Sequence, residues 1–193
     1  MVLRRHGGPR PFLLGLPRDA RTARAGEGTP CGDEPRRHIL LVCDGERLRW
    51  LGGEGASVAV TGDITGASAT SGVVDITDGT VTLNGALRHK GTKSGAVLQV
   101  SGENTHLTVA GDVVTAAPQP ALMITDAEVN LTGNITAKAS NALFANGQAK
   151  IRISGNLTNE GAKPGDKQAY FPCVELTGNA DCVIEGNIRS QAG

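Results

Sequence analysis

The chain has 193 residues and a formal net charge of zero, so no basic field argues for a nucleic-acid partner. Aromatic residues make up only 3 % while glycine occurs 27 times, which excludes the usual aromatic-rich globular core and suits a thin, layered β structure. No apolar run approaches the ~20 residues that a membrane-spanning helix needs.

The first 53 residues differ from the rest. They hold ten Arg and no Lys, Ser or Asn, whereas the remainder has six Lys, three Arg and abundant Ser, Thr and Asn. Residues 1–38 show no hydrophobic period and read as a disordered leader rich in Arg, Pro and Gly. "FLLGL", flanked by Pro11 and Pro17, is shorter than a secretory apolar region. Arg4-Arg5 lacks the apolar stretch that follows a twin-arginine signal. Residues 39–56 read as a partial rung or N-terminal cap, because Leu40/Val42 and Leu48/Trp50 alternate around Asp44-Gly45. "GGEGASVAV" from Gly52 nearly matches a calcium-binding nonapeptide, but Ser57 replaces the Asp and no tandem copy follows.

From residue 57 onward one phrase returns. Six Gly corners recur: Gly62-Asp63, Gly85-Ala86, Gly111-Asp112, Gly133-Asn134, Gly155-Asn156 and Gly186-Asn187, with steps of 23, 26, 22, 22 and 31 residues. Before each Gly stands an alternating apolar pair, from Val58/Val60 through Val129/Leu131 to Cys182/Ile184. Upstream lies a second set of pairs, Val74/Ile76, Leu98/Val100, Leu122/Ile124, Leu143/Ala145 and Val174/Leu176. Period two is the strand signature. Each unit is strand, turn, strand, Gly corner, short strand and loop. Three short strands per coil, with apolar residues inward, predict an all-β parallel β-helix of about six rungs of roughly 22 residues. Asn134, Asn156 and Asn187 fall in one column and are placed to stack as an amide ladder.

The rung length, the three-strand coil and the Asn column resemble right-handed, pectin-lyase-like β-helices. "VTLNG", "VNLTGNITA" and "LTVAGDVV" resemble non-enzymatic repeats of bacterial surface and adhesin-like proteins. The resemblance covers residues 57–193. It implies a structural or adhesive module at the cell surface or outside the cell. Nothing like a polar cap follows Ile188, so residues 57–193 are expected to be a truncated solenoid whose C-terminal end is continued or covered by another chain.

Catalysis would need clustered carboxylates. Asp75 and Glu175 share an outward column but stand four rungs apart, roughly 19 Å at the strand spacing, against roughly 5–9.5 Å for glycosidase pairs. Asp78 and Asp126 sit at turns, where Asx geometry accounts for them. No catalytic residue is therefore assigned. His6, His38, His89 and His106 show no metal spacing, and no cofactor or metal is expected. Cys173 and Cys182 read as reduced core thiols, with a mutual bridge as the alternative in an oxidising compartment.

Binding residues are sought where the coil does not need them. Met123 and Phe144 are neighbours on the outward column, to be covered by the preceding loop or, as a binding pair, to meet a sugar face or a protein. Arg88 and Lys90 lie in the charged stretch "RHKGTKSG", which reads as a solvated loop, with contact to an anionic glycan as the alternative. Tyr170 and Phe171 lie in the longest insertion, residues 158–172. The expected function is a non-catalytic structural or adhesive β-helix module with a surface glycan or protein partner. The alternatives are a polysaccharide-acting β-helix (lyase, hydrolase or phage tailspike) and a binding module using loop 158–172.

Overall fold

A computed structural model describes residues 40–43, 48–51, 56–67, 72–91, 95–161 and 171–190. The expected leader 1–38, Tyr170 and most of the loop 158–172 lie outside the described residues, as does the "GGEG" motif.

A hairpin opens the described chain. Strand β1 (Leu40–Cys43) runs antiparallel to β2 (Leu48–Leu51), and β2 pairs in parallel with the next coil. Then come β3 (Ser57–Thr61) and β4 (Ile64–Gly66). The next two coils each use one long strand bent through both faces, β5 (Val74–Asn84) before β6 (Leu87–His89) and β7 (Leu98–Ala110) before β8 (Val113–Thr115). In the following coils the turn separates three strands. These are β9 (Leu122–Thr125), β10 (Glu128–Thr132) and β11 (Ile135–Ala137), then β12 (Leu143–Asn146), β13 (Lys150–Ser154) and β14 (Leu157–Asn159). The last layer is β15 (Val174–Leu176), β16 (Asp181–Glu185) and β17 (Ile188–Ser190).

Apart from the opening hairpin, neighbouring strands are parallel, and each coil stacks on the one before. This is a parallel β-solenoid, as the period-two pairs predict. The six corners mark six layers, of which about four turns are closed and covered on both sides. The register is the expected one: Val129 lies over Leu107 and under Ile151, and Leu131 over Val109 and under Ile153. These pairs form one core, with Ile76, Leu98, Leu122, Leu143, Leu131 and Ile153 all at most 2 % exposed. Each such side chain contributes roughly 1.5–3 kcal/mol through removal from water.

The corner glycines have a cause beyond backbone torsion. Successive coils approach so closely that a Cβ on Gly133 would collide with the carbonyl oxygen of Gly111, and one on Gly155 with that of Gly133. Turns between the first and second strands use the left-handed region instead. Asp78 has φ 66° and Asp126 φ 52°, and the Oδ1 of Asp126 accepts the Gln148 N–H at 2.8 Å. Both aspartates are turn residues, as the sequence suggests.

Candidate functional site

Two outward strips carry polar side chains. The first runs along the first strand of each coil: Arg49, Asp75, Gln99, Met123, Phe144 and Glu175 lie side by side in register. Met123 and Phe144 are adjacent and half-buried, so the expected apolar pair exists. The acids at its two ends are engaged. Asp75 Oδ2 lies 3.6 Å from Arg49 Nε, and Glu175 Oε2 accepts the Asn141 Nδ2–H at 3.0 Å. Asn141 is itself buried, so this bond ties the last layer to the coil beneath.

The second strip lies along the second strands. Thr80, His106, Glu128, Lys150 and Asp181 stack in one column, in which Glu128, Lys150 and Asp181 alternate in sign. His106 Nδ1 is 3.3 Å from Glu128 Oε2. Beside it Arg152 donates to Glu185 Oε1 at 2.9 Å, and Ser154 donates to the other carboxylate oxygen at 2.9 Å. A shallow depression of about 210 Å³ lies here, lined by Glu128, Asn130, Lys150, Arg152, Asp181 and Val183 among others. Glu128 and Asp181 are two strands apart, roughly 10 Å. Lys150 stands between them in the register, where the reacting water or glycosidic oxygen of a hydrolase would have to sit. The three charges stand in register with alternating sign. No role was assigned to this column in the sequence, although it stands one residue before each apolar pair, as Lys150 does before Ile151.

The other expected site residues are dispersed. Arg88 lies on β6 and points outward, and Lys90 follows it, also exposed. Between them His89 points inward and is 3 % exposed, so the segment starts as a strand rather than a charged loop. The Gly91 N–H donates to His89 Nδ1 at 3.0 Å. Thr115 and Asn159 occupy the same inward position in their coils and do the same, accepting the Ala117 and Gly161 N–H groups. These polar residues end the third strand by satisfying the backbone that turns away from it. Phe171 is half-buried, and its carbonyl accepts the Asn159 Nδ2–H at 2.8 Å. The structure does not bring Arg88, Lys90 and the Met123–Phe144 pair onto one strand: Arg88 belongs to the third strand of a coil and Lys90 directly follows it, while the pair belongs to first strands.

The Asn column is present. Asn134 donates from its N–H and Nδ2 to Asp112 Oδ1, at 2.8 and 3.3 Å. Asn156 does so to Asn134 at 3.1 Å each, and Asn187 to Asn156 at 3.0 and 3.1 Å. Asp63 starts the series by accepting the Ala86 N–H at 2.8 Å. Cys173 is buried and Cys182 half-buried, both as free thiols, and loss of solvent raises both above the ordinary thiol value. Among the described residues no three His, Cys, Asp or Glu side chains are placed to hold one metal ion, and no helix is long and apolar enough to cross a membrane.

No protein-family model matches the chain, and neither a curated protein nor a solved structure shows significant similarity to it.

Proposed function

We propose that the chain is a non-catalytic structural or adhesive module of a bacterial surface β-helix, working at or outside the cell surface. One observation carries this reading. Five carboxylates of the coil are engaged in bonds to the neighbouring layer: Asp63 to Ala86, Asp112 to Asn134, Asp126 to Gln148, Glu175 to Asn141 and Glu185 to Arg152. Side chains that would be acids or bases in an enzyme here hold layers together. The coil of about 22 residues and the Asn column support kinship with pectin-lyase-like solenoids, and the short repeated phrase supports the adhesin-like branch.

The test is a screen of acidic and neutral polysaccharides for new reducing ends or unsaturated products. No product is expected. Product that disappears in Glu128→Gln or Asp181→Asn would establish the polysaccharide-acting alternative and place its acids in the depression.

A second reading, contact with a glycan or protein, is favoured by the half-buried Met123–Phe144 pair set in a polar strip. Replacing both with Ser should abolish retention on a glycan array or in a pull-down while the coil still melts cooperatively. The loop 158–172 enters through Phe171, whose backbone anchor to Asn159 fixes where the insertion rejoins the coil.

A further inference from the structure

The recurring phrase carries three N-x-Thr sequons, Asn130-Leu131-Thr132, Asn134-Ile135-Thr136 and Asn156-Leu157-Thr158. Each offers its amide nitrogen for the same chemistry, attachment of a glycan to Nδ2. Exposure does not separate them, since all three Asn face solvent. Their bonding does separate them.

Asn134 and Asn156 stand at Gly corners, and both ends of their amides are committed. Asn134 Nδ2 donates to Asp112 Oδ1 at 3.3 Å, and its Oδ1 accepts the N–H and the Nδ2–H of Asn156 at 3.1 Å each. The Oδ1 of Asn156 accepts the same two groups from Asn187. A glycan on either nitrogen would replace a hydrogen of a group held against the preceding coil. It would also crowd a column whose members stand roughly 4.8 Å apart.

Asn130 lies in the middle of β10, flanked by Thr108 and Arg152 of the neighbouring coils. Its amide makes no hydrogen bond among the described residues. It opens onto the shallow depression beside Lys150 and Arg152, so bulk on Nδ2 meets solvent rather than a coil. Side chains alternate along a strand, which puts Glu128, Asn130 and Thr132 on one outward face, all exposed. Thr136 and Thr158, the hydroxyl residues of the other sequons, are half-buried. An acidic residue two places before the Asn also distinguishes this sequon: Thr132 and Ser154 hold that place in the others. A transferase with a cationic subsite there would take Asn130 and pass over Asn134 and Asn156.

We infer that Asn130 is an attachment site for an N-linked glycan, and that Asn134 and Asn156 carry none. The donor is an oligosaccharide on a polyprenyl diphosphate. Nδ2 of Asn130 attacks its anomeric carbon, and the C–N bond forms as the bond from that carbon to the diphosphate oxygen breaks. The polyprenyl diphosphate leaves with the electron pair, and the nitrogen gives up one proton to a base of the transferase. β10 is paired along its whole length with β7 and β13. The amide therefore reaches the transferase before the coils stack, and the finished coil displays the glycan on its second-strand face. The inference rests on the reading of the chain as a module at or outside the cell surface, where such a glycan is placed.

Its test uses purified components and so does not depend on export. The whole chain is unfolded in denaturant and diluted into an oligosaccharyltransferase that reads an acidic residue before the Asn, with a polyprenyl-diphosphate oligosaccharide as donor. Peptide mass spectrometry maps the sites, and a thermal melt reports folding. A glycan is expected on Asn130, absent in Asn130→Gln and Thr132→Ala and reduced in Glu128→Gln. Asn134→Gln should leave it unchanged, and the glycosylated chain should melt cooperatively. The inference is overturned if Asn130 stays unmodified while a control sequon peptide is modified in the same reaction. It is also overturned if Asn134 or Asn156 is modified as fully in a chain that still folds, or if the chain glycosylated at Asn130 no longer folds. Polysaccharide cleavage would sink the structural reading without altering this result, whereas an unmodified Asn130 would sink the attachment site alone.

Discussion

Leu131 and Thr132 are neighbours in sequence and opposites in environment: the first is 2 % exposed in the core, the second faces solvent. Leu131→Asp should abolish cooperative melting, since it buries an unpaired charge, while Thr132→Asp should shift the midpoint little. Equal losses would mean that the strand faces the other way. The corner column allows a finer test. Ala86 interrupts the series between Asp63 and Asp112, so Ala86→Asn should add an acceptor for the Asp112 N–H and a donor to Asp63, raising stability by about 1 kcal/mol. Asn134→Ala should lower it by a similar amount, and denaturant titration reads both. The thiols give a pH dependence. Burial raises the Cys173 thiol above its ordinary value, against weaker lowering by backbone hydrogen bonds, and burial likewise raises that of Cys182. The folded state therefore keeps protons that the unfolded chain releases. The stability so contributed is full below the ordinary thiol value, about 8.5, and is lost as pH rises through the raised one. From about pH 8 to about pH 10 the melting temperature should fall more steeply than in a Cys173→Ala/Cys182→Ala variant. The inward apolar residues and the Asx column were legible in the sequence because each recurs at a fixed offset from Gly. The collision that excludes a Cβ at Gly133 was not, since it arises between coils rather than within one.

At the scale of the strand, β10, β13 and β16 are bound side by side by backbone bonds, and their outward charges Glu128, Lys150 and Asp181 alternate in register. Lys150→Glu would align three acids at the strand spacing. It should cost about 1 kcal/mol at low salt, with part of the loss recovered in high salt; a salt-independent loss would contradict a charge effect. The first and second strands were readable from alternation alone. The third strands were harder: Leu87–His89 and Leu157–Asn159 are three residues long, and their second inward residue is polar. Polarity in a short segment reads as loop, which is why His89 was grouped with Arg88 and Lys90 in a charged stretch. Its burial follows from the task of accepting the Gly91 N–H where the chain leaves the sheet. The same limit applies to the candidate site. Column membership of Met123 and Phe144 followed from register, but the pairing of Arg49 with Asp75 depended on placing β2 against β5, which a segment read only as a cap or partial rung did not reveal.

At the scale of the molecule, a solenoid's stability is a sum over layers and their interfaces, so it should not be uniform. The layers from β5 to β14 are covered on both sides, whereas the layer of β15, β16 and β17 has a neighbour on one side only among the described residues. This inequality comes from stacking, not from local sequence: "GNIT" and "GNIR" differ by one residue, yet Ile135 is fully buried and Ile188 is 56 % exposed. The central claim is that the recurring phrase exists to stack coils. Residue-resolved native-state hydrogen exchange tests it most directly. Stacking predicts that the amides of Val113, Ile135 and Leu157, each bonded to the following coil, exchange far more slowly than that of Ile188. Equal rates at Ile135 and Ile188, or rapid exchange at all four, would contradict it.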